Sequence, residues 1–552
     1  MFRNYAVDAK GQWKMVSGSC FRAGRDYIAG DSIRQLVLFM RPSVFWSALL
    51  LSSLFGTIDV ISGATVSTSF GISRQVNVNA AGQNIAGDAA NEPSMCIDPS
   101  NTNRMAIGWR QFDTVTSNFR QGGWAYTTNG GLNWIFPGKV DPGIFRSDPV
   151  MAADANGWFY YLGITNSSSF FCDLLRSTNG GVTWQSLGWA LGGDKEWMAI
   201  DTTTGPGRGN IYQVWSPFAN YANNENKIFS RSTDGGFTWM DAIAMPHLPY
   251  FGTLDIGPNG EVYTFGTAID IEPFVMNRST NAQNASVTPV FDLSVIVDLG
   301  GPLMFGLPNV NPDGLIGQAE IAVDRSSGPT RGNVYVLCSV SNAPGNLANV
   351  MFSRSTNRGQ TWSTPVRIND DSPNQNACHW FGTLSVAPNG RVDVCWNDTR
   401  RSTDATQSEL YYSWSDDGGV TWAPNRQLSP QFNHNVGFPQ QNKIGDYTAM
   451  ISLNEGACIA YAATFNGEQD IYFVRAELPI KAQVTRVGAV ARISWNSTRG
   501  VNYCVQAISD LRSSWASATT VGCLTASGPT SSIDDTLAGS GTRFYRVIRP
   551  PQ

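Results

Sequence analysis

The chain has 552 residues, too many for one ordinary domain, with a formal net charge of −5 and only 15 % charged residues. Such a balance favours neither nucleic acid nor an anionic membrane as partner. Three histidines and no Cys-x-x-Cys spacing leave a metal site without support, and no cofactor is expected.

Taken in chain order, residues 1–39 read as an upstream extension with no structure of their own. Val44 to Phe55 is an apolar run behind Met40-Arg41, too short to span a membrane. It ends near Ser62-Gly63-Ala64, small residues that a signal peptidase could cut. Residues 40–64 therefore read as a bacterial-type export signal, with translation starting at Met40. This predicts a secreted or cell-surface protein with no transmembrane anchor. The alternative is an N-terminal extension ahead of an internal apolar segment.

Residues 65–478 are repetitive. Short apolar strands begin at Pro93, Pro149, Trp197, Gly252, Glu320, Gly382 and Tyr447, each followed by a turn and an aromatic-rich second strand. Phe251-Gly252-Thr253-Leu254 and Phe381-Gly382-Thr383-Leu384 are sister copies. Between successive units lies a recurrent phrase, seen as Arg176-Ser177-Thr178-Asn179-Gly180-Gly181-Val182-Thr183-Trp184 and again from Arg231 to Trp239. Variants run from Thr127 to Trp134, Arg354 to Trp362 and Ser415 to Trp422, and a worn copy survives at Arg278 to Asn281. A period of this length means one supersecondary unit used many times. Within the phrase Asn or Asp accepts backbone N–H groups, glycine supplies positive φ and tryptophan buries a ring under the turn. The last unit has no such phrase, and Arg74 to Asn79 could supply its missing outer strand, which would hide an edge.

These phrases resemble the Asp box of sialidases and related β-propellers. The resemblance implies an all-β, Asp-box β-propeller, seven blades being preferred over six, with the boxes as structural staples opposite the active face. From residue 479 to 552 the pattern changes to Val490 to Trp495, Tyr503 to Ala507 and Arg543 to Ile548, a small β-sandwich of fibronectin III-like character. It serves either surface attachment or as a spacer. Cys504 and Cys523 are the favoured bridge there, whereas Cys96, Cys338, Cys395 and Cys458 sit in apolar strands as small hydrophobes.

In such a propeller the starts of the inner strands and the loops after the second strands open on one mouth. Glu92, Asp148, Asp194, Glu196, Trp197, Tyr250, Trp380, Asp446 and Tyr447 stand at strand starts, with Arg146 just ahead of Asp148. Arg110, Trp215, Asp398, Arg400 and Glu468 stand on or beside the second-strand loops. Aromatic faces stack on pyranose rings, and carboxylates and arginines bond hydroxyl or acid groups, so the set suits a carbohydrate partner. By resemblance, Arg110, Arg146 and Arg400 would clamp a substrate carboxylate, Tyr447 would be the nucleophile with Glu468 (or Glu92 or Glu196) as partner, and Asp148 the acid/base. Two departures stand out: no Arg-Ile-Pro phrase precedes the first box, and the Ile444-Gly445-Asp446-Tyr447 context differs from the usual one.

Two functions follow. One is a secreted sialidase-like glycoside hydrolase acting on terminal, acidic sugars. The other is a non-catalytic glycan- or protein-binding propeller at the cell surface. Arginine geometry separates them, since convergence on Tyr447 supports catalysis and local pairing supports binding.

Overall fold

The computed structural model describes residues 5–7, 13–15 and 65–550, apart from 167, 222–225, 271–273, 342–346, 374–375, 498–500, 529 and 537–540. Residues 40–64, read as an export signal, lie outside the described residues. Within the first 39, where the sequence predicts no structure, Tyr5–Val7 pairs antiparallel with Trp13–Met15. Among the described residues no helix is long and apolar enough to cross a membrane.

The rest is all-β. Among the described residues, seven antiparallel sheets of three or more strands follow one another from residue 89 to 477, and in each the first three strands lie side by side in chain order. Their first strands are Ala89–Ile97, Ser147–Ala153, Trp197–Ile200, Tyr250–Ile256, Glu320–Val323, His379–Val386 and Ala449–Leu453. Each of these strands neighbours the next, and the seventh neighbours the first, so the circuit closes. The seventh sheet is completed from the chain's beginning: Ile72–Gln75 pairs with Asp470–Glu477 through Tyr472↔Gln75 and Phe473↔Arg74. Between the fourth and fifth sheets a short hairpin, Phe305–Leu307 with Asn311–Leu315, interrupts the repeat.

The recurrent phrases join the third strand of a sheet to the segment that follows it, and their turn chemistry is local. The Ser177 hydroxyl donates to Asn179 Oδ1 and accepts the Gly181 N–H, while Thr183 N–H donates to Asn179 Oδ1. Ser232/Asp234/Gly236, Ser355/Asn357/Gly359 and Ser415/Asp417/Gly419 repeat the arrangement. The second glycine of each phrase packs on the preceding sheet. A Cβ on Gly236 would meet Leu174 at 2.4 Å, and one on Gly419 would meet Phe352 at 2.5 Å. The phrase therefore binds neighbouring sheets as well as closing its own turn.

After Glu477 two three-stranded sheets share one apolar core. Ala482–Val487, Val490–Asn496 and Thr530–Asp535 form one, and Thr519–Thr525, Asn502–Ile508 and Phe544–Ile548 the other. Ile493, Trp495, Tyr503 and Val505 lie buried between them. Cys504 and Cys523 face each other in register and are bonded. Cys96, Cys338, Cys395 and Cys458 are buried thiols, as expected of small hydrophobes in strands.

Candidate functional site

At the entry to the first strands the backbone repeats an irregularity. Glu92, Asp148, Lys195, Phe251 and Phe381 all have positive φ, between 52° and 57°, and Gly445, ahead of the first strand of the seventh sheet, has φ +102°. In four of these sheets the register slips at the same point, between Asn91 and Ser94, Tyr250 and Thr253, Trp380 and Thr383, and opposite Leu162 and Ile164. Left-handed conformations on bulky residues are strained, and bulges re-aim side chains. Glu92, Asp148 and Lys195 are charged; the corresponding positions of the fourth and sixth sheets hold Phe251 and Phe381.

The charged residues form one buried network. Lys195 Nζ lies 2.5 Å from Asp148, 2.9 Å from Asp446 and 3.6 Å from Asp194. Lys443 Nζ lies 2.5 Å from Asp446 and 3.1 Å from Glu92, and Arg110 Nη2 lies 3.2 Å from Glu92. Oxygens of Glu92, Asp148 and Asp446 come within 4.8 Å of one another, with the two ammonium groups reaching in among them. Asn91 accepts from Arg110 Nε and Gln441 from Arg110 Nη1.

The interposed hairpin closes over part of this cluster. Leu315 N–H donates to Asp446 Oδ1 at 2.9 Å, and Asn311 donates to the carbonyls of Leu315 and Gly445 while accepting from Ile444 N–H.

Burial and charge divide the acids. Burial pushes the Glu92 carboxyl up to about 7 against the pull of Arg110 and Lys443. Burial also pushes Asp446 and Asp148 upward, but Lys195 and Lys443 outweigh it and hold both below the usual carboxylate range. The Tyr447 hydroxyl is pushed well above its ordinary value by burial and by Glu92, Asp148 and Glu196, and it donates to the Pro149 carbonyl at 3.1 Å. Trp197 meets the Tyr447 ring edge-on at 5.5 Å.

The sequence therefore locates Glu92, Arg110, Asp148, Asp446, Tyr447 and Trp197 in one place. Glu196 is buried nearby, its carboxyl pushed well up by burial and Asp148. The other candidates are held elsewhere. Arg146 is bound to Asp141 and Asp173, and Arg400 to Asp370 and Asp398 while stacking on Tyr411. Glu468 accepts from Asn84 and from the Gly87 N–H, pinning the segment that leads into the first sheet. Trp215 is buried against Gly193 and the Tyr221 ring. Sequence reasoning missed Lys195 and Lys443. Each stands immediately before or three residues before a named candidate, Glu196 or Asp446, and that adjacency was the available signal.

A further buried acid stands at the start of the fifth sheet, where burial alone pushes the Glu320 carboxyl up to about 8. A folded pKa above the unfolded value means that its contribution is intact below about pH 4.3 and is lost as pH rises through 8. Glu320→Gln is expected to match the parent at pH 4.5 and to be more stable at pH 9, by up to about 5 kcal/mol. Calorimetric melting across that range checks it, and parallel curves for the two proteins would refute it.

No family model matches this sequence, and no curated protein matches it. Among solved structures, a protein of unknown function from Dyadobacter fermentans is 13% identical over 76% of this chain and 100% of its own, with a TM-score of 0.43. A fungal alcohol oxidase of the AA5 family, in complex with copper, is 12% identical over 81% and 86%, with a TM-score of 0.46. The endosialidase of phage phi92 is 10% identical over 77% and 70%, with a TM-score of 0.38. At such identities and scores no chemistry transfers to this chain.

Proposed function

We propose that the chain is an exported, seven-bladed Asp-box propeller, residues 65–478, carrying a fibronectin III-like module at 479–552, and that it binds glycans without hydrolysing them through a tyrosine nucleophile. One observation carries this reading: each of the three arginines is already charge-paired with an acid, and the three do not converge. A clamp on a substrate carboxylate needs guanidinium charge that no protein acid has neutralised, gathered at one spot. Arg110 is matched by Glu92, Asn91 and Gln441, while Arg146 and Arg400 each hold acids of their own. The Tyr447 hydroxyl is committed to a backbone carbonyl and shifted away from the phenolate. Carbohydrate is the ligand class because of the resemblance of the repeats, together with the aromatic residues Trp197, Tyr250 and Phe251 at the strand entries.

The test is turnover of a fluorogenic N-acetylneuraminic acid glycoside by the full chain, beside Arg110→Ala and Tyr447→Phe, with a glycan array run on the parent. We expect no turnover and selective glycan retention. Turnover by the parent that both variants lose would replace this reading with a sialidase.

A second reading has its own support. Glu92 raised to about 7 beside Asp446 held low is the split that a carboxylate acid/base pair requires. It would act on aryl glycosides without Tyr447, and Glu92→Gln would abolish that activity.

A further inference from the structure

Trp189, at the end of Gln185–Trp189 in the second sheet, is 72% exposed, the most exposed large hydrophobic side chain among the described residues. It does not stand alone. Phe171 stacks on it at 5.0 Å and 24°, Tyr221 meets Phe171 at 5.6 Å, and Trp215 meets Tyr221 at 5.8 Å. These four rings run from the outer edge of the second sheet into the loops of the third.

The support beneath them is stiff. Cys172 N–H donates to Leu191 O at 2.6 Å, Ala190 N–H donates to Cys172 O, and Tyr221 N–H donates to Gly192 O. Phe170, Leu191 and Ala219 have positive φ of 50°, 62° and 49°. A ring platform fixed before binding loses little entropy when a ligand settles on it.

A polar edge lies beside the platform. Asp173 is the cross-strand partner of Trp189, which places both side chains on one face of the sheet. Asp173 Oδ2 takes Arg146 Nη2 at 3.4 Å, while Asp173 Oδ1 and Arg146 Nε and Nη1 are buried without a hydrogen-bond partner. The Arg146 side chain is only 3% exposed. Buried polar atoms left without partners are costly, and such atoms beside an exposed aromatic point to a ligand that brings both donors and acceptors.

We infer that Trp189, Phe171 and Tyr221, with Asp173 and Arg146 at their edge, form a binding platform for a neutral hexopyranose of a glycan chain. The inference rests on the carbohydrate reading above and gives it a location. The axial C–H face of the ring stacks on the indole, and neighbouring hydroxyls exchange hydrogen bonds with the acid and the guanidinium. Two acids, Asp141 and Asp173, already balance Arg146, so an anionic sugar meets net negative charge there and is disfavoured.

The test is calorimetric titration of the full chain with cellohexaose, maltohexaose, mannohexaose and, as the acidic comparator, 3′-sialyllactose. Trp189→Ala and Asp173→Asn are run alongside, with circular dichroism to check folding. At least one neutral hexaose is expected to bind, with affinity lowered at least about tenfold by Trp189→Ala and clearly by Asp173→Asn. Binding that both variants keep overturns the platform but leaves the carbohydrate reading standing. Binding of sialyllactose alone does the same. No binding of any of the four, with nothing retained on the glycan array, overturns both.

Discussion

Replacing Lys195 with methionine is expected to cost about 3–5 kcal/mol at pH 7, because it strips a buried ammonium from carboxylates that stay behind. Lys195 Nζ lies within 4 Å of Asp148, Asp194 and Asp446, and its side chain is 8% exposed. Asp148 and Asp446 owe their lowered pKa first to Lys195 and then to Lys443, against the burial that would raise them. A depressed folded pKa contributes stability above the unfolded value, near 4, and loses it as pH falls through the folded value. The gap between parent and variant should therefore be widest at neutral pH and close in acid. Adding Asp148→Leu to Lys195→Met should recover part of the loss, because a buried pair exchanged for apolar groups is often neutral. Melting temperatures of the three proteins at pH 7 and pH 2 measure it. A variant that melts with the parent at pH 7 would show that the ammonium is dispensable and the network is solvated.

Gly131→Ala should be nearly as damaging, at about 3 kcal/mol or more, since it combines backbone strain with a clash that the core cannot absorb. Gly131 has φ +87°, and a Cβ there would lie 2.1 Å from Phe473 Cε1. Phe473 belongs to the seventh sheet and also meets Trp134, from the same turn as Gly131, at 5.2 Å. The substitution therefore strikes the seam where the last sheet meets the first. Gly143 is the control. Its φ is +83° and an added methyl would have nothing within 4 Å, so Gly143→Ala should cost only about 1 kcal/mol. Thermal melting of both variants beside the parent measures the difference. Equal losses at the two sites would mean that the seam yields and that only the backbone strain counts.

Much of the scaffold was legible because its chemistry is local. Asn179 accepts from Thr183 four residues on, Ser177 from Gly181 four residues on, and the other copies repeat this. Inner-strand starts could be named from their apolar runs, and Ile72–Gln75, overlapping the stretch from Arg74 expected to complete the last unit, does pair with Asp470–Glu477. The hairpin at Phe305–Leu315 was not foreseen: it belongs to no repeat and carries no periodicity, yet it supplies the backbone N–H that binds Asp446. The two lysines were passed over for an electrostatic reason. Lone lysines in a sequence are usually solvated, and only closure of the circuit sets Lys195 between acids 47 residues earlier and 251 later.

The same distinction runs through the candidate site. By itself the sequence determined which residue types gather at the strand entries, because strand order and turn chemistry depend on neighbours a few positions away. Only the tertiary structure decided their partners and charge states. Arg400 meets Asp370 across 30 residues, Arg146 meets Asp173 across 27, and Tyr447 reaches Pro149 across 298. A carboxyl's protonation follows its burial and the charges within a few ångströms, and those distances come into being only when the sheets have packed together.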